Sequence, residues 1–200
     1  YWTTERPRGA QTHYNAVRRM CRERGVLFED PEFPPGPRAL YHHKKPAMHP
    51  IVWMRPGEMC QRPRFITSEN GNGSTSGAGG GGAAEGGRLD VEAGEMGDPW
   101  LLAAISSLTL TPRFLDRVVP PDQTFDPATY CGVFRFRFWH FGEWKDVLVD
   151  DRLPTYRGRL IYTHCTNPTE FWAALLEKAY ANFMQEDVRL SFTEDRNGMA

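Results

Sequence analysis

Apolar positions in this chain recur in two rhythms, and the change between them separates helices from strands. From Gln11 to Glu23 the residues Tyr14, Val17 and Cys21 fall at helical spacing, and Gly25 supplies a stop. Between Gly132 and Trp139 the rhythm becomes strict alternation. Phe134, Phe136 and Phe138 lie on one side and Arg135 and Arg137 on the other, which predicts a strand with one buried face. HFGEW then turns the chain, and Lys145 to Asp150 alternates again through Val147 and Val149, so the two segments predict a hairpin. A third short strand is predicted from Arg159 to Thr163.

The helical rhythm returns from Asn167 to Phe183. Phe171, Trp172, Leu175, Leu176, Ala179 and Phe183 form a broad apolar face there, with Asn167 as N-cap and Pro168 in the first turn. A second apolar helix, buried and well capped, is predicted from Trp100 to Leu110. Asp98 takes its N-cap position, and Pro99 takes the first helical position, where a missing N–H costs little. Pro112 to Phe125 carries a short amphipathic turn and a proline stop, and Val26 to Pro37 reads as extended chain packed on a surface. Residues 70–87 contain nine glycines and almost nothing able to form a core, so they read as a flexible insert. The insert has neither the lysine nor the strand–helix setting of a phosphate loop.

Composition changes this picture little. The hydrophobic share of 40% is lowered by 19 glycines and 16 prolines, many of the glycines in the insert. A net charge of −1 gives no general attraction to nucleic acid or to anionic membrane. Arg18, Arg19, Arg22 and Arg24 make a basic, solvated face on the first helix. No run approaches the roughly 20 apolar residues of a membrane span. Cys21, Cys60, Cys131 and Cys165 form no CxxC pair and no zinc-type cluster, which predicts free thiols in a reducing compartment; Cys131 and Cys165, beside strands, read as small buried thiols. The chain starts at Tyr1, so a preceding segment stays open.

Several stretches, taken in order, resemble the protease core of calpains, the calcium-dependent cysteine endopeptidases. They are LFEDPEFP (residues 27–34), IVWMRPGEMCQRPRFI (Ile51 to Ile66), GDPWLLAA (Gly97 to Ala104), Phe136 to Pro154, Gly158 to Cys165, and EFWAALLEKAYA (170–181). The resemblance runs from Tyr14 to Phe183. It implies an α+β fold: the first, mainly helical lobe of a papain-like calpain core with a small antiparallel sheet, the second lobe absent. The implied organisation is an irregular lead-in (1–13), the N-terminal part of the core (14–69), the Gly-rich insert (70–87), the first subdomain of the protease core (88–183) and a divergent polar tail (184–200), expected to be poorly ordered.

The family pattern GDCWLLAA places the nucleophilic cysteine where this chain has Pro99. Proline has no nucleophilic side chain and no backbone N–H to serve an oxyanion hole. By the same resemblance the second oxyanion donor is a glutamine six residues earlier, a position held here by Ala93. Removing one such donor costs about a hundred- to a thousandfold in rate. None of His13, His42, His43, His49, His140 or His164 sits in a family-like catalytic motif.

The resemblance also implies a calcium site built from loop carbonyls before the catalytic helix together with two acids, which fall on Asp90 and Glu170. Glu170 also stands three residues after Asn167, where a capping-box glutamate belongs, and Asp90 reads equally as an ordinary loop acid. Two functional readings follow. In the first, the chain is a catalytically inactive pseudo-protease or truncated form that binds protein partners, with calcium as a possible ligand. In the second, it belongs to an active cytoplasmic calcium-dependent endopeptidase acting on proteins, and Pro99, Ala93 and the tail after Phe183 reflect an incomplete or mistaken reading of the gene. Neither reading identifies a regulatory subunit.

Overall fold

The computed structural model describes residues 8–36, 39, 50–66 and 91–197. The lead-in through residue 7, the Gly-rich insert and Asp90 therefore lie outside the described residues.

Helix α1 (Arg8–Arg24) ends where the sequence places its stop. Gly25 adopts φ +64°, its N–H bonds to Arg22 O (3.2 Å), and Val26 N–H reaches back to Cys21 O (3.1 Å). These two bonds form a Schellman cap, which needs a residue at ease in the left-handed region. The chain then continues through Phe28, whose N–H donates to Cys131 O (2.8 Å), and through the buried Asp30 and Phe33. Strand β1 (Val52–Met54) leads into the short helix α2 (Pro56–Met59), where Glu58 Oε2 accepts from Arg55 N–H at 2.6 Å.

After β2 (Val91–Glu92) come α3 (Pro99–Thr109) and α4 (Pro112–Val118). The hairpin of β3 (Val133–His140) and β4 (Glu143–Asp150) forms as the alternation predicts. Its two-residue turn, Phe141 and Gly142, has both φ angles positive (44° and 89°), the geometry that matches strand twist. A second hairpin uses the same device. In it β5 (Leu153–Tyr156) and β6 (Arg159–Leu160) join through Arg157 and Gly158, at φ 51° and 74°. β6 is shorter than the predicted strand, because 161–163 bends away to reach β7 (His164–Cys165), which pairs with β2. β5 also pairs with β1, so the described strands form one three-stranded and two two-stranded antiparallel sheets.

Helix α5 (Trp172–Asn197) closes the core. Phe171, Trp172, Leu175, Leu176 and Ala179 pack against Phe134 and Phe136 of β3, together with Phe65 and Phe125. Three sequence expectations are corrected here. The helix starts at Trp172 rather than Asn167, because residues 167–170 form a tight turn in which Asn167 Oδ1 accepts from Thr169 N–H (3.1 Å) and Glu170 N–H bonds to Asn167 O (3.1 Å). It does not end at Phe183: its backbone stays helical through Asn197, across the stretch expected to be poorly ordered. And β3 is covered on both faces where α1 crosses it. There Arg135 is buried, its guanidinium 4.9 Å from the Tyr14 ring centre and its backbone exchanging hydrogen bonds with the Gln123 carboxamide (2.6 and 2.8 Å).

Helix α3 departs most from its expected burial. Leu101, Ile105 and Thr109 are buried, but Trp100, Ala103, Ala104 and Ser107, one stripe at helical spacing, face solvent. No helix among the described residues is long and apolar enough to cross a membrane.

Candidate functional site

The start of α3 is set by a tight turn. Gly97 N–H bonds to Gly94 O (3.1 Å), and Met96 N–H bonds across to Ile161 O (2.9 Å). A Cβ on Gly94 would stand 2.3 Å from Ile161 O and 2.4 Å from Tyr162 O, so only glycine allows this close approach. Asp98 then takes extended angles (φ −90°, ψ 115°) at the N-cap, Pro99 occupies the first helical position, and Leu102 N–H closes the first turn on Asp98 O at 3.0 Å. Cap and proline positions agree with the sequence expectation; the expected side-chain cap does not form, since the Asp98 carboxylate makes no capping bond.

Ala93 and Pro99 flank this turn, both exposed, with the Ala93 Cβ 3.4 Å from where a Gly97 side chain would begin. In chemical terms the helix start offers a pyrrolidine ring and a tertiary amide with no N–H. Trp100 stands beside it, 52% exposed, edge-on to Tyr180 of α5 at 5.3 Å between ring centres.

A cleft of about 860 Å³ opens next to the turn, between the 92–95 segment, the 156–161 hairpin and the segment leading into α5. Glu170 lines it, as do Ala93, Gly94 and Glu95. Glu170 is only 5% exposed, and its segment is held by Phe171 N–H to Arg64 O (3.0 Å) and Arg64 N–H to Thr169 O (2.7 Å). Because α5 begins two residues later, Glu170 is not the capping-box residue of that helix. On the rim, Glu92 meets His164 Nε2 at 3.8 Å and accepts from Thr166 Oγ1 at 3.4 Å.

The donor types suit a hard cation: Glu92, Glu95 and Glu170 line the same cleft as the backbone of the turn before α3. Side chains alone would not complete a calcium shell, since no group of three or more His, Cys, Asp or Glu fit to hold a metal occurs among the described residues. The structure thus brings Glu170 and the turn together at one cleft, beside the helix that carries Pro99, while Asp90 lies outside the described residues.

None of the cysteines forms a disulfide; Cys21, Cys131 and Cys165 are buried and Cys60 is half-buried. Burial pushes the Cys21 thiol above its ordinary value, the opposite of what a nucleophile requires. His13 is exposed, His140 lies between the Phe141 and Phe183 rings, and His164 is on β7.

Sequence reasoning missed a buried charge junction behind the site. Lys178 Nζ, on α5, donates to Asp150 Oδ1 (2.6 Å), Asp150 O (2.9 Å) and Arg152 O (2.7 Å), so all three of its N–H groups are spent. Asp150 also accepts from Arg152 Nη2 (2.6 Å) and from Asp30 N–H (2.9 Å). Burial works against the Asp150 charge, but the Arg152 bonds and the Lys178 charge outweigh it and hold the carboxyl down at about 2. Burial pulls the other way on Lys178, lowering its pKa against the opposing pull of Asp150; with every N–H accepted by oxygen, the ammonium form fits the geometry. Asp151 takes Arg55 and the Tyr130 hydroxyl, and Asn182 Nδ2 donates to Asp30 Oδ2 at 3.1 Å. The adjacent acids and base at 150–152, directly after an alternating strand, are the sequence signal for this junction.

Comparison with known proteins agrees with the architecture. A family model described as calpain family cysteine protease matches residues 28–200, past the point at Phe183 where the motifs themselves stop. Calpain-9 of Homo sapiens is 48% identical over 168 residues, and the calpain-2 catalytic subunit of Gallus gallus 49% identical over 172; each match covers 84% of this chain and 22% of the relative. Calpain-A of Drosophila melanogaster is 44% identical over 168 residues, 84% of this chain and 18% of its own length. The chain thus spans about a fifth of the length of these relatives, and within that span it belongs to the calpain family of cysteine proteases.

Proposed function

We propose that this lobe keeps the calpain scaffold without its catalytic power and acts as a calcium-responsive binding module for protein partners in the cytoplasm. The observation that carries the reading is Pro99 at the first position of α3. The helix accepts proline there without distortion, so the scaffold persists while the chemistry goes. Acyl transfer through a thioester needs a thiolate to attack the peptide carbonyl and N–H donors to hold the oxyanion. Pro99 supplies neither, and Ala93 has no side-chain donor.

Asp90, Glu170 and carbonyls of the turn before α3 are the groups that would hold calcium. Bound there, the ion would supply positive charge that draws the turn and the Glu170 segment onto a common centre. The lobe's own residues do the rest: Gly94 lets the turn press on 161–162, and the Arg64 bonds keep Glu170 on the cleft wall.

The test is purified protein incubated with unfolded casein in millimolar calcium. No cleavage is expected; cleavage that a thiol-directed inhibitor abolishes sinks the reading.

A second reading, an active calcium-dependent endopeptidase, is favoured by one observation. With 44–49% identity to named calpains over 84% of the chain, Pro99 and Ala93 are departures inside an otherwise faithful core. Sequencing of the transcript across codon 99 and past codon 183 separates the two: cysteine at 99 supports the enzyme, proline the binding module.

A further inference from the structure

We propose that Glu177 is a positioning residue that ties α5 to the wall of the cleft and, through that wall, steadies the turn before α3. It lies on α5, only 9% exposed, one turn above Ala173 and Ala174 on a face that is otherwise apolar or aromatic. Its Oε2 accepts from Thr163 N–H at 2.6 Å, and the carboxylate lies close enough to Asp98 for that residue's charge to act on it. One side chain of α5 thereby stands between two separate segments and is bonded to the first. The first, 161–163, forms part of the cleft wall at Ile161 and already receives Met96 N–H at Ile161 O. The second is the N-cap of α3, one residue before Pro99.

A carboxylate is an expensive occupant of this face. Burial, with Asp98 adding to it, pushes the Glu177 pKa above the ordinary carboxylate value, and an apolar side chain would avoid that cost. What glutamate provides and leucine cannot is an acceptor oxygen for a backbone N–H that the strands and helices leave unpaired. Tyr180, three residues further along α5, meets the start of α3 through its edge contact with Trp100. A displacement of 161–163 by anything entering the cleft therefore reaches the turn before α3 through Met96 N–H, against the restraint that Glu177 places on Thr163. This linkage goes beyond the binding reading and stands whether or not calcium is the ligand.

Site-resolved amide exchange on the full chain tests it. In Glu177→Leu the amides of Met96 and Thr163 should exchange at least about tenfold faster, with β3, β4 and the middle of α5 unchanged. Glu177→Gln, which keeps one acceptor oxygen, should show a smaller rise at these amides, a rescue that a purely space-filling role would not predict. If protection falls throughout the core, or if neither amide changes, the proposal is overturned. Should the leucine variant not fold, the glutamine variant decides alone: exchange unchanged at both amides overturns the proposal, and a rise confined to them sustains it.

Discussion

Two tryptophans stand in the first turns of two apolar helices and meet opposite fates. Trp172 opens α5 and is 1% exposed; Trp100 follows Pro99 in α3 and is 52% exposed. Both helices carry apolar residues at helical spacing, so pattern alone assigns both to the core. The difference is in what surrounds them. α5 lies across the hairpin and packs its apolar face onto Phe134 and Phe136, whereas α3 turns Leu101 and Ile105 inward and leaves the Trp100, Ala103 and Ala104 stripe uncovered. An apolar stripe states that a cover is needed, not that this stretch of chain supplies it. The uncovered stripe follows directly on Pro99, so the start of α3 is open to solvent on that side.

The largest expected effect comes from breaking the buried member of the pair. Trp172→Ala should destabilise the fold by about 3–5 kcal/mol, read as a shift of the urea midpoint at unchanged slope. A loss under about 1 kcal/mol would mean that α5 is not the element closing the core.

Acid probes the charge junction that anchors α5. The Asp150 carboxyl is depressed in the fold, from 3.8 to about 2. Its contribution is thus fully present above its ordinary value and is lost as pH falls through that interval, amounting to about 2 kcal/mol. Asp30, Asp151 and Glu177 are shifted upward, chiefly by burial. Their sign is opposite: stability grows as pH falls through their raised values toward the ordinary carboxylate range. Urea midpoints from neutral pH downward should therefore rise and then drop below about pH 4. An unbroken rise to about pH 2 would remove Asp150 as the anchor.

The smallest effect sharpens the comparison from the other side. Trp100→Ala should cost under about 1 kcal/mol, since the ring is half in water and its main protein contact is the edge of Tyr180. A loss equal to that of Trp172→Ala would show the two helices to be covered alike.

Much of this architecture was legible because it rests on short-range rules. The α1 stop at Gly25, the β3–β4 alternation and the Pro99 position in α3 depend on residues a few places apart, and each was found where the periodicity and cap preferences put it. Failures began where a local rule had a distant competitor. Asn167 and Glu170 carry a capping pattern, yet pairing with Arg64 draws their turn away from the helix. Arg135 alternates as a solvent-facing residue, yet α1 crosses above it and supplies the Tyr14 ring.

By itself the sequence determined the helical and extended segments, the calpain resemblance, and the proline at the first position of α3, because each is written in adjacent letters. Tertiary structure alone decided which tryptophan is buried, that Glu170 and the turn before α3 share a cleft, and that Glu177 accepts from the Thr163 backbone. The junction around Asp150 joins residues 28 and 120 positions apart in the chain. No local periodicity encodes such pairings; they arise when packing removes water from charged groups and leaves them only one another as partners.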